Sequence, residues 1–136
     1  PKLITGLGSL WKEGDKVRGE GRKWKYFQLL AGDISDDYKP TRHIGIRYGD
    51  NAAFKLLKDL DNDDDCILAV ARKYYEWFGR EHTYVAWNKE EVDTNWMGML
   101  DMYMKLVHMK RWKGDNPSLV GYLSQRGLLK EVDDEN

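Results

Sequence analysis

Between Trp11 and Tyr26 the chain interleaves rings with cations: Trp11, Lys12, Lys16 and Arg18, then Arg22, Lys23, Trp24, Lys25 and Tyr26. Flat aromatic faces stack on unpaired bases while ammonium and guanidinium groups neutralise phosphates, so this pattern is the chemistry of a nucleic-acid surface. A second cationic group, Lys110, Arg111 and Lys113, flanks the turn Lys113-Gly114-Asp115. Beyond it, Tyr122, Gln125 and Arg126 are expected on the outer side of a helix that opens at Pro117 and stops at Gly127. Two helices joined by a short glycine-containing turn have the layout of a helix-turn-helix, whose second helix presents such side chains to base edges. On this reading Arg22, Lys23, Lys25, Lys110, Arg111 and Lys113 contact phosphates, with Trp24 among them, and Tyr122, Gln125 and Arg126 probe bases. The same residues also have a structural reading. Glu13, Asp15 and Glu20 dilute the charge, Trp24 and Tyr26 can fill a core, and a helical hairpin needs a polar outer face merely to be solvated.

The densest oxygen donors are Asp59, Asp61, Asp63, Asp64 and Asp65. Counted as a calcium loop from Asp59, the segment places Asp64 where the turn needs glycine and Val70 where a bidentate glutamate belongs, so the EF-hand pattern fails twice. A solvated loop that loads a helix N-terminus with negative charge accounts for the same residues. His43, His82 and His108 form no metal-binding spacing, and phosphate-cradling glycine loops and a GxSxG nucleophile turn are both missing. No catalytic residue, no metal site and no cofactor is therefore assigned. Cys66, the only cysteine, precedes the apolar run Ile67–Ala71 and reads as a small core residue.

The elements that must position these groups follow from pattern. A length of 136 residues, 41% hydrophobic and 33% charged, suits one domain over 1–136 with a single core. The segment 1–48 is expected to be mainly β, 49–130 mainly α, and 131–136 an acidic tail. Glycines at 8, 14, 19 and 21 break the start into a hairpin or meander, with a strand over Lys23–Leu30 and another over Arg42–Tyr48. Asp33–Pro40 reads as a loop. Helices are expected from Asp50 or Asn51 to about Leu60, and from an aspartate cap at Asp63, Asp64 or Asp65 through Phe78 to a stop at Gly79. A third begins at Asp93 or Thr94 and runs to about Trp112. Thr83–Trp87 has the character of a short strand. The expected class is α+β, an N-terminal antiparallel β-hairpin or meander followed by a mainly helical half ending in the helix-turn-helix-like pair.

The net charge of −1 argues against a general polyanion binder, but its distribution is uneven. Segment 1–48 holds 10 basic and 6 acidic side chains, 49–65 holds 2 and 6, 93–130 holds 6 and 3, and 131–136 holds 0 and 4. No apolar run approaches membrane-spanning length and the first residues lack a secretory core, so no membrane association and a cytoplasmic location are expected. The leading functional expectation is DNA or RNA binding. The alternative is a protein-interaction or regulatory-inhibitor module in which Trp77, Trp112, Met97 and Met104 form an apolar patch, which would also permit a homo-oligomer. The third is a metal-dependent hydrolase using Asp61, Asp63 and Asp65.

Overall fold

Strands β1 (Leu10–Glu13) and β2 (Lys16–Gly19) pair antiparallel, with Leu10 opposite Gly19, Trp11 opposite Arg18 and Glu13 opposite Lys16. Side chains alternate across a strand, so Leu10 and Val17 are buried while Trp11, Lys16 and Arg18 stand on the outer face. The structure, a computed structural model, describes residues 7–32, 44, 46, 48–86, 88–106 and 119–133. The expected loop Asp33–Pro40, most of the expected strand Arg42–Tyr48 and the turn before Pro117 lie outside the described residues.

The next element departs from expectation. Residues 23–30, read from sequence as a strand, belong to helix α1 (Gly21–Ala31). Both periods fit a short apolar run, and packing decides between them. Lys23, Tyr26, Phe27 and Leu30 recur at helical spacing, and all four are buried. The decisive contact is made by Arg22 and Tyr26. The Arg22 guanidinium donates from Nε and NH2 to the two oxygens of Asp63 at 2.9 and 2.7 Å, and the Tyr26 hydroxyl donates to Asp63 Oδ1 at 2.6 Å. Residues four apart lie about 6 Å apart on a helix but about 13 Å apart along a strand, so only the helix lets both reach one carboxylate.

Helix α2 (Asp50–Leu57) buries Ala53 and Leu57 as the sequence stripe requires. Helix α3 (Asp63–Phe78) is the longest among the described residues and touches α1 and α2. The aspartates 63–65 occupy its first turn and do not cap it. The cap is Asn62, whose Oδ1 accepts from the Asp65 N–H at 2.8 Å while its Nδ2 donates to Asp65 Oδ2 at 2.9 Å. Three carboxylates in the first turn complement the positive end of the helix dipole. Ile67, Val70, Ala71, Tyr74 and Phe78 all face inward, and Gly79 ends the helix at φ 68°, a conformation that costs a residue with Cβ.

Strands β3 (His82–Val85) and β4 (Glu91–Thr94) form a second antiparallel pair, followed by α4 (Trp96–Leu106), α5 (Leu119–Gln125) and α6 (Lys130–Asp133). Asp93 and Thr94, expected to open the third helix, instead end β4. The helix begins two residues later, where Asn95 Oδ1 accepts from the Gly98 N–H at 3.0 Å. Its Trp96, Met99, Leu100 and Tyr103 are buried against α3, and its expected continuation to Trp112 lies outside the described residues. Part of the expected acidic tail is the single turn α6, which buries Val132 and receives an Arg72 Nε hydrogen bond at the Glu131 carbonyl. The class is α+β with an N-terminal hairpin, and α3 is its axis: α4, α5 and α6 contact it as well. Among the described residues no helix is long and apolar enough to cross a membrane.

The Arg22–Asp63 side chains are only 12% and 15% exposed. Removing one partner of such a buried pair costs about 3 kcal/mol or more, because the other charge stays desolvated. Asp63→Ala should therefore lower the unfolding free energy by about 3 kcal/mol in urea titrations, whereas a drop below about 1 kcal/mol would show that the pair contributes only as a surface bridge does.

Candidate functional site

Thr83, Tyr84 and Val85 are β-branched or aromatic, which suits a pleated and half-buried surface. In the hairpin they help to build, His82 lies opposite Thr94, Thr83 opposite Asp93, Tyr84 opposite Val92 and Val85 opposite Glu91. The loop closes through Ala86 N–H to the Glu90 carbonyl at 2.9 Å and Lys89 N–H to the Ala86 carbonyl at 2.8 Å, with Lys89 at φ 68°. In an antiparallel ladder, bonded and non-bonded pairs alternate. Since Ala86 bonds to Glu90, Tyr84 and His82 also face β4, and the N–H and C=O groups of Thr83 and Val85 point away from it. The sheet has two strands, and those outward groups find no hydrogen-bond partner among the described residues.

Along β3 runs a groove of about 620 Å³. It is lined by every residue from His82 to Ala86, by no residue of β4, and by Met99, Met102 and Tyr103 of α4. Met99 and Tyr103 are 3% and 4% exposed and make a firm floor. The Tyr84 hydroxyl lies 3.9 Å from the Met102 sulfur, and the His82 ring packs edge-on against Phe78 at 4.9 Å. The His82 Nε2 is buried without a hydrogen-bond partner. On the outer face of the same strand Val85 is 66% exposed, the most exposed large hydrophobic side chain among the described residues. An open strand edge beside polarisable, adaptable methionines is a surface suited to extended chain.

The residues singled out from sequence are placed differently. Arg22 is held by Asp63, which also raises its pKa above the ordinary value through their hydrogen bond. Lys23 is 4% exposed and donates to the Lys58 carbonyl at 3.2 Å. Trp24 is half-buried and stacks on Phe27 at 5.1 Å. Tyr122 donates to Asp64 Oδ1 at 2.7 Å, and Arg126 grips Asp64 Oδ2 through Nε at 3.1 Å and NH2 at 2.9 Å. The side chains of Lys25 and Gln125 enter no hydrogen bond or ion pair among the described residues. Lys110, Arg111 and Lys113 lie outside them. The structure thus gathers Arg22, Tyr122 and Arg126 around the first turn of α3, where acidic partners hold them.

The other sequence candidates also resolve into packing. Trp77 and Met104, expected in an exposed patch, are 7% and 0% exposed; Met97 is half-buried, and Trp112 is outside the described residues. Asp63 and Asp64 serve Arg22, Tyr26, Tyr122 and Arg126, and among the described residues no three metal-ligating side chains converge. Cys66 is fully buried, and desolvation pushes its thiol up to about 11, which suppresses the thiolate a nucleophile needs. Sequence reasoning missed β4 and with it the groove. Val92 is the only apolar residue in Glu91–Thr94, and the loop carries Asn88-Lys89 where Asn-Gly would have announced a hairpin.

Comparison with protein-family models, with curated proteins and with solved structures finds no match to the chain. Geometry alone therefore carries the functional reading.

Amide hydrogen exchange tests the register directly. The Tyr84 and Ala86 amides should be protected, while those of Thr83 and Val85 exchange at rates near those of an unstructured chain; protection at Thr83 and Val85 would mean that the edge is already occupied.

Proposed function

We propose that the chain is a peptide-binding interaction module in which an extended segment of a partner protein adds to β3 as a third strand. The observation that carries this reading is the coincidence of the outward N–H and C=O groups of Thr83 and Val85 with the apolar groove beside them. Main-chain hydrogen bonds to a sheet edge supply affinity in such complexes, and pockets for alternate side chains supply specificity. Four residues of added strand span about 13 Å, the length of β3 itself. Alternation then sends every second side chain of the segment towards Met99, Met102 and Tyr103. An apolar residue there displaces water from a firm, shaped surface.

Val85→Pro separates this function from the fold. It deletes an N–H that points away from β4, leaving every β3–β4 hydrogen bond in place. Peptides selected from a random displayed library on the full chain should bind saturably, and Val85→Pro should weaken them at least about tenfold, the equivalent of about one main-chain hydrogen bond. Unchanged circular dichroism and melting temperature would confirm that the variant is folded. Failure to select any peptide, or equal binding by the variant, would remove the reading.

A second reading keeps part of the nucleic-acid expectation and rests on the outer face of β1–β2. There Trp11, 40% exposed, stands opposite Arg18 with Lys16 on the same face, and the Arg18 guanidinium lies 3.4 Å from Glu13 in an exposed ion pair that solvent screens. A ring beside a guanidinium can stack a base and neutralise its phosphate. Neither Arg22, Lys23, Tyr122 nor Arg126 is needed for this. A labelled single strand should bind with a steep salt dependence, and Trp11→Ala should cost about tenfold in affinity; no binding at low salt would end it.

A further inference from the structure

The charge around the groove narrows what fits it. From Glu81 to Thr94 the hairpin carries four carboxylates, Glu81, Glu90, Glu91 and Asp93, against one lysine, Lys89, and all five side chains are exposed. Two of those carboxylates converge. Glu81 and Asp93, with His82, Thr83 and Thr94, line a hollow of about 310 Å³. It shares His82 and Thr83 with the apolar groove, but Thr83 and Asp93 stand on the face opposite Tyr84, so the hollow lies on the outer face of the strand whose inner face meets α4. Asp93 is held there by its cross-strand neighbour: Thr83 Oγ1 donates to Asp93 Oδ1 at 2.9 Å. That bond leaves Oδ2 as an oriented acceptor. Among the described residues that line the apolar groove there is no Asp, Glu, Lys or Arg, so the groove and the hollow are chemically distinct compartments on the two faces of β3.

We infer that the segment recognised at β3 is basic as well as extended: its apolar residues lie over α4, and a lysine or arginine near one end enters the hollow between Glu81 and Asp93. The inference rests on the peptide reading above and adds the class of partner. A row of outward main-chain groups accepts any extended backbone, so the edge alone gives little selectivity. Selectivity comes from charge, because an acidic segment meets four carboxylates and a basic one meets their complement. Paired carboxylates also draw a basic segment in from solution, which raises the association rate more than it slows dissociation.

Three labelled peptides test this on the full chain by fluorescence anisotropy: Lys-Val-Thr-Val-Thr-Val-Lys, whose valines share one face and whose lysines share the other, and the same sequence with glutamine or glutamate at both ends. Terminal placement at both ends makes the result independent of strand direction. The lysine peptide should bind about tenfold more tightly than the glutamine peptide, the glutamate peptide should be weakest, and the spread should narrow in 0.5 M salt. The double variant Glu81→Gln with Asp93→Asn should bring the lysine and glutamine peptides within about twofold of each other, and a lysine preference as large as that of the unaltered chain would overturn the charge inference. Equal binding of all three peptides to the unaltered chain would overturn the charge inference and leave the edge-strand reading standing. Binding by none of them would overturn both.

Discussion

The first turn of α3 is where the fold is tied together, and it is tied by charge. Two consecutive aspartates each receive an arginine and a tyrosine four residues apart: Arg22 and Tyr26 of α1 at Asp63, and Tyr122 of α5 with Arg126, the residue after its end, at Asp64. Adjacent residues on a helix point about 100° apart, so Asp63 and Asp64 reach different neighbours. One turn therefore orients two helices that stand on either side of α3. The two clamps differ in depth. The Asp63 pair is nearly withdrawn from solvent, whereas Arg126 at the other clamp is half exposed and more fully screened. Asn62 completes the arrangement by holding Asp65 and closing the helix. Carboxylates that would repel one another in an open loop are thus each given a donor.

This arrangement governs what the surface can do. A guanidinium that makes two hydrogen bonds to a carboxylate would have to abandon them to grip a phosphate, and at Asp63 it would leave a desolvated anion behind. The cations most suggestive of nucleic-acid contact are therefore those the fold uses to join α1 and α5 to α3. Among the described residues the two hairpins present surfaces open to partners. The first offers an aromatic ring beside cations, one of them in an exposed ion pair with Glu13, and the second offers a bare strand edge beside an apolar groove. The two suit different chemistries.

Much of the architecture was legible because helical stripes are redundant. Ile67, Val70, Ala71, Tyr74 and Phe78 repeat the same spacing, so no single residue had to be diagnostic for α3, and Gly79 marked its end. The stretch from Lys23 to Leu30 was misread because over so short a run its apolar and polar residues fit both an alternating and a helical period. Packing decides between the two, and the shared contact of Arg22 and Tyr26 at Asp63 requires the helix. The acidic cluster was recognised as a loader of a helix N-terminus, but its division between two clamps depends on where α1 and α5 come to rest, which no local pattern encodes. The groove was hidden for a related reason. Thr83–Val85 is visible as a strand, yet its partner is a polar segment whose hairpin turn has lysine in the conformation usually reserved for glycine.

An unpaired strand edge is a hazard as well as an opportunity, since it can pair with the same edge of a second copy. Two features of β3 oppose that outcome. The strand is only four residues long, so an edge-to-edge pair would gain few hydrogen bonds. The hairpin of each copy also carries Glu81, Glu90, Glu91 and Asp93 against the single Lys89, so two copies would approach with like charge. Like charges brought together in a partly desolvated contact cost more than a few main-chain hydrogen bonds return. A basic segment escapes this penalty and gains from the same groups. The acidic rim that keeps copies of the chain apart is thus also the feature that would let the edge choose among foreign segments.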